Sequence, residues 1–305
     1  MKTKRNSKKC VYFFGNKKAD GNGSMKEILG GKGAGLAEMT EIGINVPPGF
    51  TISTEVCGIF YKNKRKTPKE INSEIKGNLS KLEKLTGKRF GNSSNPLLVS
   101  VRSGSMFSMP GMMDTILNLG LNDKTVIGLS KKTRNPRFAW DAYRRFIQMF
   151  SDVVLKVNKN LFEEMLDNLK KKKGAKHDLD LDHSALKTLV QDYKKLVKSK
   201  TGLRFPQNPN NQLMKAIDAV FLSWNNKRAI FYRKKYDIPS EIGTAVTVQS
   251  MVFGNMGRDC GTGVGFTRDP SSGEKELFAE YLLNAQGEDV VAGIRTPKNI
   301  KTMQR

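Results

Sequence analysis

Residues 97–115 constrain what this chain can become more than any other stretch. Leu97, Leu98, Val99 and Val101 make a short apolar run rich in branched side chains, the pattern of a buried strand. The run delivers one arginine, Arg102, into a segment of small residues that includes Ser103, Gly104, Ser105, Ser108 and Gly111. An arginine at a strand end, facing a loop with free backbone N–H groups, is a physical means of holding phosphate. The same loop carries Met106, Phe107, Met109, Met112 and Met113, apolar side chains that suit a mobile lid.

Strand and helix patterns are mixed along the rest of the chain. Val11, Tyr12, Phe13 and Phe14 predict a short strand closed by Gly15. Gly30, Gly31, Gly33 and Gly35 then surround Lys32, and Leu36, Met39 and Ile42 mark one face of a predicted helix that stops at Gly43. These glycines fit neither the P-loop, which requires Lys followed by Ser or Thr, nor the dinucleotide pattern. A lysine in a glycine-rich turn at a helix N-terminus can meet an anion, and a tight turn with a solvated lysine fits the residues equally. Val46, Pro47, Pro48 and Gly49 turn the chain into another strand. Ile71, Ile75, Leu79, Leu82 and Leu85 repeat at helical spacing, a core stripe. Leu186, Leu189, Val190, Tyr193, Leu196 and Val197 do so again, with Asp182 or Ser184 as the cap. Residues 122–204 therefore read as a helical subdomain, with a charged connector at 170–176. Leu213, Ile217, Val220, Phe221 and Trp224 mark a further helix. After Pro239 the period falls to two, and strands over 244–253, 262–267 and 276–283 predict a closing β-meander.

The length of 305 residues allows about two domains or several subdomains. The net charge of +24, from 53 Lys and Arg against 29 Asp and Glu, admits nucleic acid or an anionic membrane surface as a partner. The basic residues are spread, however, and no run is interleaved with aromatics as a base-stacking platform would be. A lysine-rich solvated surface accounts for them, so neither nucleic acid nor membrane is expected as a partner. No apolar run approaches the roughly 20 residues of a membrane helix. Cys10, Cys57 and Cys260, odd in number and widely spaced, point to a reducing, cytoplasmic setting.

The histidines exclude some chemistry. His177 and His183 both lie in or beside the charged connector, where solvated side chains are expected. Ser-His-Asp and Cys-His catalysis thus lack a base, and no Cys or His pair has zinc-ligand spacing. What remains is Lys32, Arg102, two glycine-rich loops and the acidic pair Glu288 and Asp289. That set suits the phosphate chain of a nucleotide with Mg2+.

At this point the chain resembles the N-terminal nucleotide-binding domain of the pyruvate phosphate dikinase family. The blocks are LGGKGAGLAEM (29–39), VPPGFTIST (46–54), LLVSVRSG (97–104), SMPGMMDTILNLGLND (108–123), NPRFAWDAYRRFIQMFSDVV (135–154) and SWNNKRAIFYR (223–233). GTAVTVQSMVFGNMG (243–257), GTGVGFTRDP (261–270) and NAQGEDVVAGIRTP (284–297) complete them, so the resemblance covers nearly the whole chain. The related phosphoenolpyruvate synthases share the GGKG and VPPGF themes, and the GMMDTILNLGL block favours the phosphate-using dikinase.

The resemblance implies an α/β, ATP-grasp-like fold with an inserted helical subdomain. Residues 1–121 with 205–243 would form one unit, 122–204 the helical insert, and 244–305 a β-rich, incomplete nucleotide-binding unit. It implies binding of Mg-ATP. A histidine of a separate swivelling domain attacks the β-phosphate and leaves AMP. Inorganic phosphate then takes the outer phosphoryl group, and pyruvate in a C-terminal barrel receives the other to give phosphoenolpyruvate. By motif, Lys32 would contact the phosphates and Arg102 would neutralise the transferring group. Ser103, Gly104 and Gly111 belong to the loop covering them. Met251 and Val252 would meet the adenine edge through backbone. Gly261 and Gly263 would line the nucleotide, and Glu288 and Asp289 would hold ribose or order the site. No residue is assigned as a metal ligand. The full-length family enzyme is expected to be a homodimer.

Ser105, Met106 and Phe107 depart from the family's Ala-Arg-Ala, removing one phosphate-side cation, and Cys260 and Gly265 replace a serine and an alanine. The family's later acidic strand, phosphohistidine motif and pyruvate barrel find no counterpart in 1–305. The chain by itself is therefore expected to be inactive in the full reaction, as a fragment or a split-gene product. A non-catalytic ATP-binding or regulatory module is the alternative.

Overall fold

In the computed structural model, which describes residues 9–291 and 295–303, the chain opens with a hairpin of β1 (Val11–Gly15) and β2 (Lys18–Ala19). Helix α1 (Lys26–Glu41), β3 (Gly49–Ile52), α2 (Thr54–Lys62) and α3 (Lys69–Thr86) follow. A two-residue parallel ladder, β4 (Arg89–Phe90) with β5 (Pro96–Leu97), leads into β6 (Val99–Gly104) and β7 (Thr115–Leu119). Six helices come next: α4 (Thr125–Thr133), α5 (Pro136–Val153), α6 (Lys159–Lys173), α7 (His183–Thr201), α8 (Pro209–Ser223) and α9 (Lys227–Lys235). The chain returns to strands with β8 (Ala245–Ser250), β9 (Gly261–Phe266) and β10 (Phe278–Leu283), then a short α10 (Gly287–Val291) and β11 (Lys298–Asn299).

The main sheet has six strands in the order β2-β1-β3-β8-β6-β7, each pair antiparallel. Its two faces follow from the period of two along each strand. Val99 and Val101 share one face with Val246, Val248, Phe50 and Ile52, and all six are buried. That face joins Ile71, Ile75, Leu79 and Leu82 of α3 and the apolar stripe of α8 in one core. The opposite face carries Ser100, Arg102, Thr247, Gln249 and Thr51, a polar row crossing three strands. Helix α1 packs on this polar face.

Of the helices between β7 and β8, α7 buries the stripe the sequence marks, except that Leu196 is only half-buried. Asp182 caps α7 by accepting from the Ala185 N–H at 2.7 Å, and Leu186, Leu189, Val190, Tyr193 and Val197 are buried against α5 and α6. Both histidines are exposed.

Two expectations are corrected. Helix α1 does not bury Leu36, Met39 and Ile42: Met39 is 37% and Ile42 70% exposed. It buries Gly33, Ala34, Ala37 and Thr40 instead. The reason is distance: a Cβ at Gly33 would stand 2.9 Å from the Thr51 methyl, so only small residues fit between this helix and the sheet. The closing strands are also not one meander. Strand β8 lies in the middle of the main sheet between β3 and β6, while β9, β10 and β11 form a separate antiparallel sheet. A central strand supplied late in the chain cannot be told by periodicity from a hairpin neighbour. The small sheet is open, with Val264, Phe266 and Leu283 exposed.

Candidate functional site

Strand β6 positions Arg102. Alternation along the strand turns Val101 into the core and Arg102 outward, level with Thr247 on β8 and Thr115 on β7. Arg102 is exposed while its sequence neighbours are buried, so the strand anchors it and leaves its guanidinium at the surface.

Lys32 reaches the same place from α1. That helix is broken at Gly30, whose φ of 67° and ψ of 168° are outside the helical region. The break brings backbone against backbone: a Cβ at Gly30 would lie 1.9 Å from the Gly104 carbonyl oxygen. The Gly31 N–H donates to the Ser105 carbonyl at 2.9 Å. Lys32 therefore stands in the first turn of the regular helix, and a Cβ at Gly104 would be 3.7 Å from the Lys32 Cβ. Burial of its surroundings lowers the Lys32 pKa, and the Arg102 charge lowers it further. Two cations on different elements are thus electrostatically coupled beside a helix N-terminus, an arrangement that stabilises a polyanion placed between them.

The loop from β6 to β7 is pinned at both ends. Met109 is buried, and Met112 and Met113 pack on the core, so these methionines act less as a free lid than as anchors. Only its tip, including Phe107 at 42% exposure, stands out. The other predicted loop residues divide. Ser103 is still in the strand, opposite Val246, and so on the core face away from Arg102. Gly104 is packed on Gly30, and Gly111 occupies an open left-handed turn at φ 70°. Ser105, where the chain departs from the family's pattern, has a buried hydroxyl with no hydrogen-bond partner among the described residues.

Met251 lies at the other end of β6. Because β8 runs antiparallel to β6, the chain leaves β8 beside Leu98, and the Met251 N–H donates to the Leu98 carbonyl at 2.9 Å. That amide is committed, so a ligand edge here would meet the Met251 carbonyl or the Val252 backbone. The Val252 side chain is 73% exposed. Leu98 and Arg102 are four residues apart along a strand, about 13 Å at ~3.3 Å per residue. Gly263 is in strand β9 opposite Tyr281, as the predicted strand over 262–267 has it, and the strand begins one residue earlier, at Gly261 opposite Leu283.

Asp289 is held elsewhere. Its Oδ1 accepts from Arg145 Nη1 at 3.0 Å and its Oδ2 from the Gln286 N–H at 3.0 Å, tying α10 to α5. Arg145 also pairs with Asp141, and Asp141 with Arg144, which reaches Asp178. The Glu288 side chain lies outside the described residues. Beside Asp289, Gln286 is 5% exposed, and neither its amide oxygen nor its amide nitrogen has a partner among the described residues. Among the described residues no group of three or more His, Cys, Asp or Glu could hold a metal ion. No helix among them is long and apolar enough to cross a membrane.

Comparison with known proteins identifies the family. The family model for the pyruvate phosphate dikinase AMP/ATP-binding domain matches residues 26–84 and 63–305. The pyruvate, phosphate dikinase of Clostridium symbiosum is 55% identical over 97% of this chain and 34% of its own length. That of Entamoeba histolytica is 55% identical over 96% of this chain and 33% of its own length. The chloroplastic pyruvate, phosphate dikinase 1 of Arabidopsis thaliana is 52% identical over 98% of this chain and 31% of its own length. The chain thus spans about a third of the length of these curated relatives. A chain matched from end to end at such identity belongs to the pyruvate phosphate dikinase family, in its AMP/ATP-binding domain.

Proposed function

We propose that this chain binds Mg-ATP along the polar face of β6 and presents the phosphates to a phosphoryl-accepting histidine of another domain. The observation that carries the reading is the spacing along one strand. The Lys32–Arg102 cation pair stands at one end of β6 and the Met251–Val252 turn at the other. Their separation of about 13 Å matches an extended nucleoside triphosphate in scale. In this reading Lys32 and Arg102 neutralise phosphate oxygens as charge shifts between them. The helix N-terminus at Gly31–Lys32 adds its partial positive charge. The turn at Met251–Val252 receives the base.

The residues described form no metal cage of their own. Mg2+ binds chiefly through phosphate oxygens and water, so it enters here as part of the Mg-ATP substrate. The fold is read as ATP-grasp-like. The division into 1–121 with 205–243, 122–204 and 244–305 is kept, except that β8 belongs with the main sheet it completes. The wider reaction, giving AMP and phosphoenolpyruvate, the homodimer and the partner domains come from the resemblance. So does a cytoplasmic setting, which the odd number and wide spacing of Cys10, Cys57 and Cys260 also support.

The test is calorimetry of Mg-ATP on this chain and its Arg102→Leu variant. Wild type should bind, and the variant should lose at least tenfold in affinity, as expected when a charged phosphate contact worth about 1.5–3 kcal/mol is removed. Equal affinity in both would refute the assignment of Arg102.

A further inference from the structure

The corner between α8 and α9 touches the β6–β7 loop at four points. The Asn226 Nδ2 donates to the Met112 carbonyl at 2.8 Å. The Tyr232 hydroxyl donates to the Ser108 carbonyl at 3.3 Å. The Asp114 N–H donates to the Ser223 hydroxyl at 3.3 Å. Arg228 approaches the Asp114 carboxylate at 3.7 Å. All four come from one helical corner, the ten residues 223–232; the three contacts at Met112 and Asp114 fall on the half of the loop farther in sequence from Arg102, and the Ser108 contact falls just before its middle.

The other half is fixed differently. Gly31 holds Ser105, and Gly30 is packed on Gly104. The exposed tip is therefore suspended between α1, which carries Lys32, and the α8–α9 corner. A loop tied at only one end would be free to swing about it, because short exposed segments retain most of their conformational entropy. The second attachment fixes where its N–H groups sit.

We propose that Asn226 and Tyr232 are positioning residues for phosphate binding, acting through the 105–114 loop and touching no substrate themselves. The inference rests on the nucleotide reading above. Asn226 has two separable jobs. Its Oδ1 caps α9 by accepting from the Ala229 N–H at 2.7 Å, and its Nδ2 holds Met112. Asp is as good a cap as Asn but has no N–H to donate, so Asn226→Asp cuts the tie and keeps the helix. Tyr232→Phe removes the second tie with the ring retained.

The experiment measures backbone hydrogen exchange, thermal midpoint and Mg-ATP affinity for wild type, Asn226→Asp and Tyr232→Phe. Faster exchange confined to residues 105–114, with α9 exchange and the midpoint unchanged, is expected in Asn226→Asp. Its Mg-ATP affinity should fall roughly three- to tenfold, the loss of about one hydrogen bond, and Tyr232→Phe should show a smaller change of the same kind. Unchanged loop exchange in Asn226→Asp overturns the clamp, whatever the nucleotide does. A loosened loop with undiminished affinity overturns its role in binding. If wild type itself binds no Mg-ATP, the nucleotide reading falls and takes the positioning role with it, while the exchange data still decide whether the clamp exists.

Discussion

Gly30 and Gly104 meet backbone to backbone, so closely that a Cβ on Gly30 would fall 1.9 Å from the Gly104 carbonyl oxygen. This contact joins the element carrying Lys32 to the strand carrying Arg102. A Gly30→Ala variant meets two penalties at once, the collision with backbone and a φ of 67° at ψ 168°, a region that L side chains rarely occupy. It should lose about 3 kcal/mol or more in urea unfolding, and its Mg-ATP affinity should fall with it. A fully stable Gly30→Ala protein would refute the close approach.

Lys32 and Arg102 share an electrostatic neighbourhood, and their titrations should report it. Burial and then the Arg102 charge lower the Lys32 pKa. Arg102→Leu removes the second cause only, so the Lys32 pKa should rise while staying below its ordinary value. Following the Lys32 side-chain carbon resonances against pH measures this. A pKa that does not move would place the two charges too far apart for one phosphate group.

Ser105 offers a test of opposite sign. Its hydroxyl is buried at 6% residue exposure, without a partner among the described residues. Removing an unsatisfied polar group leaves no orphan behind, so Ser105→Ala should be neutral or stabilising by up to about 1 kcal/mol in unfolding measurements. If Mg-ATP satisfies that hydroxyl, the same variant will bind the nucleotide more weakly despite its stability.

Asp289 separates a structural from a ligand-binding role. Its carboxylate is bound to Arg145 with both side chains largely buried. Asp289→Asn and Arg145→Met should each destabilise the chain by about 1–3 kcal/mol. A nucleotide role beyond this tie would appear as an affinity loss in Asp289→Asn that Arg145→Met does not reproduce.

The ionic chain through α5 also sets an acid limit. Burial alone would raise the Asp141 pKa, but the Arg144, Arg145 and Arg137 charges and the Arg144 hydrogen bond outweigh it and hold it at about 2. A depressed carboxylate pKa contributes stability above its unfolded value and loses it as pH falls through the folded value. Asp141 should therefore contribute about 2 kcal/mol at neutral pH, lost between about pH 4 and pH 2. Unfolding free energies across that range, with the Asp141 carboxyl resonance titrating near the acid end, would check it.

The apolar stripes of α3 and α7, a cap for α7 at Asp182 or Ser184 and the run into Arg102 are legible because each is local: period, cap chemistry and branching act over a few residues. The family blocks were legible for the same reason. The identity of the buried face of α1 was not, because the partner surface is a polar sheet row that only small residues can approach. Nor was the end of β6: glycine and serine after Arg102 suggested a loop, yet pairing with β8 carries the strand through Gly104.

The sequence by itself determined which residues could meet a phosphate chain and which family they resemble. Only the tertiary structure decided how they are arranged. Strand β8, 140 residues beyond β6 in sequence, completes the sheet and sets Met251 beside Leu98. The Gly30–Gly104 contact brings Lys32 to Arg102, and Arg145 draws Asp289 toward α5. Such pairings depend on close approach between distant segments, and one-dimensional patterns carry no record of distance.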